Sequence, residues 1–128
     1  MYSQKIMEIF ANSKFMGEIR SANAIGEAGG AKIGDILKFY LVVEKDKIVD
    51  AKCKAFGTAV TIAIGSVCAE NLIGLNINEV QNFNTDVVLD ELEEIPTEKL
   101  YCLDLAKEAM SNCVTYYYKK EQKGKNRK

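Results

Sequence analysis

Two β-prone segments separated by a three-residue turn constrain the fold of this chain more than any other feature. Ile36 to Glu44 is apolar, with Lys38 alone breaking its interior. Ile48 to Phe56 sets Val49, Ala51, Cys53 and Ala55 alternately against Asp50, Lys52 and Lys54. A period of two puts one set of side chains on a buried face and the other in water. Joined through Lys45-Asp46-Lys47, the two segments predict an antiparallel hairpin whose apolar face needs a cover.

Helices supply that cover. Ser3 to Ala11 reads as a short amphipathic helix capped by Ser3, with Ile6, Ile9 and Phe10 at helical spacing. The small and apolar run after Gly57-Thr58, up to Ile73, reads as a buried helix that Gly74 stops. Asn76 and Glu79 have the spacing of a capping box for a short helix through Gln81, and Thr85 to Leu92 forms another. Pro96 interrupts the pattern. From about Thr97 to Lys120, Leu103, Ala106, Met110, Cys113 and Tyr117 step by three and four along one stripe.

Between Asn12 and Asp35 the periodicity disappears. Five of the nine glycines fall there, which predicts a long mobile loop; within it Gly17 to Ala28 is a candidate third, edge strand. The whole order predicts an α+β domain, a small antiparallel three-stranded sheet with helices packed on one face. It spans residues 1–120 and leaves a basic flexible tail at 121–128.

A chain of 128 residues has room for one core. No apolar run approaches the roughly 20 residues of a membrane span. The opening residues lack the apolar core of an export signal, so a cytoplasmic protein is expected. There is no histidine, which removes Ser-His, Cys-His and imidazole–metal chemistry together. Residues 1–118 hold eleven basic and seventeen acidic side chains, a net −6, whereas 119–128 carry +5. An acidic body repels nucleic acid, so no nucleic-acid or membrane partner is expected for the domain. The tail alone has the charge to touch RNA, an anionic membrane or an acidic partner.

The cysteines, Cys53, Cys68, Cys102 and Cys113, contain no Cys-x-x-Cys pair, so neither a zinc ribbon nor a thioredoxin-type site is encoded and free thiols are expected. Cys53, Cys68 and Cys113 fall on predicted core faces. Cys102 has two readings. It lies in the first turns of the last helix, where free N–H groups and the helix dipole favour thiolate, yet it shares a helical stripe with Ala106, Ala109 and Cys113. Gly29-Gly30-Ala31-Lys32-Ile33-Gly34-Asp35 lacks the Ser/Thr of a P-loop and precedes a strand instead of following one, which argues against a nucleotide site. By itself Asp35 reads as a turn residue.

Taken in order, the motifs resemble the NifU/IscU-type iron–sulfur cluster assembly scaffolds from Tyr2 to about Lys120. The parallels are Tyr2-Ser3-Gln4-Lys5-Ile6, Phe15-Met16-Gly17, Gly34-Asp35 before a strand and Val49-Asp50-Ala51-Lys52. They continue with Phe56-Gly57 before a small-residue helix, Asn84-Thr85-Asp86, Leu92-Glu93-Glu94-Ile95-Pro96 and Leu100-Tyr101-Cys102. The resemblance implies a SufE/NifU-like fold, a non-enzymatic scaffold, and Asp35 and Cys102 as the residues that hold iron or a [2Fe–2S] cluster. It also implies a cysteine desulfurase and an Hsp70-type chaperone as partners.

The departures fall at the ligand positions. The family's first ligand cysteine is Ile33 here, the second is Thr58, and the histidine before the third is Tyr101; Cys102 and Asp35 remain. The chaperone motif Leu-Pro-Pro-Val-Lys matches Ile95-Pro96-Thr97-Glu98-Lys99, which keeps the proline and the lysine. A [2Fe–2S] core needs four electron-rich donors, and hydroxyls replace thiolates poorly.

Two functions follow from this pattern. One is iron or sulfur binding during cluster biogenesis, through Asp35 and Cys102 of one chain or through pairs of ligands from two. The other is a regulatory or partner-docking module of the assembly machinery that binds no cluster. Monomer and homodimer both fit, and no motif marks an enzyme built on Asp35, Tyr101 and Cys102. Every version requires Ile33, Thr58 and Cys102 to converge.

Overall fold

The hairpin forms where the alternation places it. In the computed structural model, which describes residues 3–126, β1 (Ala24–Gly30), β2 (Asp35–Glu44) and β3 (Lys47–Phe56) make an antiparallel sheet in the order β1-β2-β3. Lys45 and Asp46 join β2 to β3 with φ of 51° and 65°, both left-handed, as a two-residue hairpin that follows the sheet's twist requires. A register shift between Val42 and Val43 inserts a bulge. It changes which residues face inward. Ile48 is buried and Val49 is exposed, whereas Ala51 and Cys53 face the core. Val49 therefore does not share the inner face with Ala51, because one extra residue in a ladder turns the following side chains over.

The expected mobile loop is the larger correction, while the candidate edge strand within it does form, shifted from residues 17–28 to β1. β1 pairs with β2 along its whole length, from Ala24↔Leu41 to Gly30↔Asp35. The segment before it is also tied down. Phe15 accepts from Cys53 N at 2.8 Å, and Gly17 N donates to Cys53 O at 3.0 Å. The Asn23 amide brackets Val43, donating to its carbonyl at 2.9 Å and accepting from its N–H at 2.7 Å. Glycine misled the reading for a physical reason. A Cβ at Gly26 would run into backbone atoms of Ala109 and Cys113, so this glycine marks a helix lying directly on a strand.

The helices are α1 (Gln4–Asn12), α2 (Ala59–Leu72), α3 (Asp86–Leu92) and α4 (Tyr101–Asn126), with 3-10 segments at Ile77–Asn82 and Thr97–Lys99. Ser3 caps α1, accepting from Ile6 N at 3.2 Å, and its hydroxyl donates to Leu92 O at 3.0 Å. Asn76 and Glu79 form the expected capping box, but over a 3-10 segment. α2 is buried on nearly every side, and Gly74 beyond it adopts φ 97°. α4 starts at Tyr101, after the 3-10 turn, and runs past Lys120 to Asn126. Met1, Tyr2, Arg127 and Lys128 lie outside the described residues.

α2 and α4 cover one face of the sheet, where Leu37, Phe39, Leu41, Ala51 and Cys53 are buried. The predicted α4 stripe, Leu103, Ala106, Met110, Cys113 and Tyr117, is buried throughout. The other face carries Tyr40, Lys54 and Glu18, with Lys54 Nζ 3.2 Å from the Glu18 carboxylate. Among the described residues no helix is long and apolar enough to cross a membrane.

Candidate functional site

Three chain segments meet at one end of the sheet. Asp35 opens β2, Thr58 precedes α2 with Thr61 one turn into it, and Lys99, Tyr101 and Cys102 lie where the 3-10 turn feeds α4. The Asp35 side chain is 1% exposed. Its Oδ1 accepts from Thr61 Oγ1 at 2.5 Å and from Lys99 Nζ at 3.1 Å. Its Oδ2 accepts from Lys99 Nζ at 3.2 Å and from the Tyr101 hydroxyl. The ammonium also lies 3.4 Å from the Tyr101 oxygen. Gly57 is required beside this cluster, because a Cβ there would overlap Asp35 Oδ1 and Thr61 Oγ1.

The proton positions follow. Thr61 has one hydroxyl proton and gives it to Asp35, so toward Thr58 Oγ1 at 3.5 Å and Cys102 Sγ at 3.9 Å it can only accept. That arrangement asks for Cys102 as a thiol. Burial, first, and the adjacent Asp35 charge push the Cys102 thiol above its ordinary value, outweighing the pull of the Lys99 ammonium. The core reading of Cys102 is therefore the one its burial supports: the residue is fully enclosed, and desolvation exceeds any help from the head of α4. Burial drives Asp35 upward as well, but the hydrogen bonds from Thr61, Tyr101 and Lys99 outweigh it and hold the carboxyl below the usual carboxylate range. Lys99 is held above its ordinary value, because its bonds to Asp35 and Tyr101 exceed the cost of its partial burial.

Asp35, Thr58 and Cys102 are thus linked through Thr61. Ile33 sits in the β1–β2 turn two residues before Asp35, with its side chain half exposed and outside this network. Sequence reasoning named Lys99 only as a family correspondence, Tyr101 as a correspondence and in the disfavoured enzyme reading, and passed over Thr61. The one signal for Thr61 is its place a single helical turn after Thr58. Cys53, Cys68 and Cys113 are buried and free, as expected, and burial pushes the Cys53 thiol up to about 12. Among the described residues, no group of three His, Cys, Asp or Glu side chains is placed to hold a metal.

The fold has solved counterparts. A NifU-like N-terminal protein from Brucella abortus superposes with a TM-score of 0.72 at 17% identity, covering 92% of this chain and 94% of that one. A SUF-system scaffold candidate from Fervidobacterium islandicum AW-1 gives 0.68 at 24%, covering 88% and 96%. At such identities these likenesses establish the α+β architecture of NifU- and SufU-like proteins. Sequence establishes the family: a profile of the NifU-like N terminal domain matches residues 1–124, and the chain belongs to that family. The iron-sulfur cluster assembly scaffold protein IscU 1 of Archaeoglobus fulgidus is 32% identical over 123 residues, covering 96% of this chain and 80% of that protein. Nitrogen fixation protein NifU of Azotobacter chroococcum is 33% identical over 118 residues, covering 91% of this chain and 38% of that longer protein.

Proposed function

We propose that this chain serves iron–sulfur cluster assembly by docking partners of the assembly machinery, and that a single copy does not hold a cluster. One observation carries the reading. The only carboxylate at the site is already bonded by an ammonium and two hydroxyls, and the only thiol beside it is buried and protonated. One such pair falls short of the four donors of a [2Fe–2S] core, and iron would have to displace Lys99 to reach Asp35. Asp35 and Cys102 are assigned here to the architecture of the docking end, with iron and cluster as cargo handled by partners.

The surroundings suit docking. Ile33, Phe56, Leu100 and Tyr101 are exposed apolar side chains at this same end of the sheet, and large apolar side chains left in water at one place mark contact surfaces. A cysteine desulfurase is the partner the family relationship favours. The Hsp70-type chaperone is disfavoured, because Lys99, the retained lysine of that motif, is turned inward onto Asp35.

Anaerobic loading with iron(II) and sulfide tests the reading, together with capture of a cysteine desulfurase by the native chain and by Cys102→Ser. The expected result is a colourless chain that captures the desulfurase equally in both forms. A retained chromophore that Cys102→Ser abolishes would establish iron or sulfur binding at Cys102 instead.

A further inference from the structure

Charge along this chain is sorted more sharply than its near-zero total suggests. Residues 55–98 contain eight acidic side chains and not one lysine or arginine, whereas six of the last ten residues are basic. The structure puts these blocks on separate elements. Asp86, Asp90, Glu93 and Glu94 are exposed on and after α3, next to the exposed side chain of Val87. Lys119, Lys120 and Lys123 are exposed on α4 beyond Tyr117, its last buried residue. From there α4 continues to Asn126, about 13 Å of helix at 1.5 Å per residue. Among the described residues the ion pairs are Lys54–Glu18 and Lys99–Asp35, so neither block is neutralised within its own chain.

The two blocks match in make-up as well as in sign. Tyr116, Lys119, Lys120 and Lys123 lie on one face of α4 and line a groove of about 550 Å³ with Gly124. Lys120 Nζ sits 5.9 Å from the centre of the Tyr116 ring. On α3, exposed Val87 sits beside Asp86 and Asp90, two exposed carboxylates one helical turn apart, whereas Glu91 is half-buried and lines a hollow with Lys5 and Glu8 of α1. A notch of about 320 Å³ beside Val87 is lined by Leu75, Phe83 and Val87 together with polar groups. Each face is an exposed apolar anchor beside a pair of like charges, positive on one and negative on the other.

We propose that the free end of α4 docks on the α3 side of a second copy of this chain, Tyr116 entering the notch beside Val87 and Lys119 and Lys120 facing Asp86 and Asp90. Every copy carries both surfaces, and a net charge of −1 offers little overall repulsion to self-association. Nucleic acid and an anionic membrane also suit the lysines, but both must approach a body of net −6. A contact built mainly from exposed ion pairs is weak and reversible, and salt screens it.

Sedimentation velocity of the full chain at roughly 50 mM and 500 mM salt, across a range of protein concentrations, tests this. The native chain should show a concentration-dependent faster species at low salt that disappears at high salt. Lys119→Glu/Lys120→Glu/Lys123→Glu should sediment as a monomer, and so should Asp86→Lys/Asp90→Lys. Mixing the two variants should restore the faster species, since their charges are exchanged. The five substituted positions, Lys119, Lys120, Lys123, Asp86 and Asp90, are all exposed, so folding, checked by circular dichroism, is expected to be unchanged. A native chain that stays monomeric at low salt would overturn the proposal, as would a Lys→Glu variant that associates normally. So would a monomeric chain whose lysines bind anionic phospholipid vesicles or RNA.

Discussion

At its head α4 meets the sheet through Asp35, Lys99, Tyr101 and Thr61, and half-way along it meets β1 through bare backbone at Gly26. The first contact is made of directed charge and hydrogen bonds between side chains. The second consists of main chain against main chain with no side chain between. Side-chain contacts can be exchanged singly while the backbone stays where it is. A backbone-on-backbone approach has one solution, because there is no rotamer to adjust. Under this difference a chain can match its family from residue 1 to 124 whichever side chains stand at the head of α4.

The largest effect should come from breaking the backbone contact. Gly26→Val would drive Cβ into the main chain of α4 and is expected to lower the unfolding free energy by about 3 kcal/mol in urea titration. Gly30→Ala, in the same strand but with open space at its Cβ, should change stability by less than about 0.5 kcal/mol. Equal effects at the two positions would mean that α4 does not lie on β1 as closely as described.

Lys99→Met should come next. It leaves the buried Asp35 charge without its ammonium and is expected to cost about 2 kcal/mol, less than a fully enclosed pair because Thr61 and Tyr101 still bond the carboxylate. The same variant sharpens the functional comparison. With the ammonium gone, the Cys102 thiol loses the cation that pulls its pKa down, so it should stay protonated and be alkylated no faster than in the native chain. Asp35→Asn in the Lys99→Met background should recover part of the lost stability, since it removes the stranded charge.

The two regions were not equally legible beforehand. The β2–β3 hairpin and the α4 stripe could be read because burial imposes a period on the sequence, two for Ala51 and Cys53, and three to four for Leu103 through Tyr117. β1 was legible only as a candidate edge strand inside a glycine-rich loop, because a strand that must admit a helix at contact distance uses Gly26, and glycine in sequence looks like a turn. The charge network was legible only in part. Asp35 and Cys102 were visible, but nothing in a sequence pairs Asp35 with Thr61, 26 positions away, or turns Lys99 inward, since both depend on where the turn at Thr97–Lys99 delivers the chain. Cys102 had two readings because helix-terminus electrostatics and burial act in opposite directions, and only the enclosure of the side chain decides between them.

The network should also leave a signature in pH. Asp35 is held below its unfolded value, so the stability it contributes is fully present above about pH 4 and is lost as pH falls through the depressed folded value. Lys99 is held above its unfolded value, so its share is present below about pH 10.4 and is lost as pH rises through the raised folded value. Between those limits the pair should contribute nearly constant stability. Subtracting the unfolding free energies of Asp35→Asn from those of the native chain should give a plateau through neutrality that declines at acid pH. A difference that is flat down to pH values well below the carboxylate range would mean that Asp35 is not held by this network.

Among the changes at the head of α4, Cys102→Ser should produce the smallest. The serine hydroxyl can take over the donation to Thr61, and the substitution removes no volume that α4 needs, so a loss of less than about 1 kcal/mol is expected. Reactivity gives the sharper reading of the same residue. A buried, protonated thiol should react with iodoacetamide far more slowly in the native chain than in urea, in step with Cys53, Cys68 and Cys113. If Cys102 instead reacted first and fast near neutral pH, the head of α4 would be exposing a thiolate. The polar contact would then be a reactive centre, and the contrast with the inert crossing at Gly26 would be one of chemistry as well as of packing.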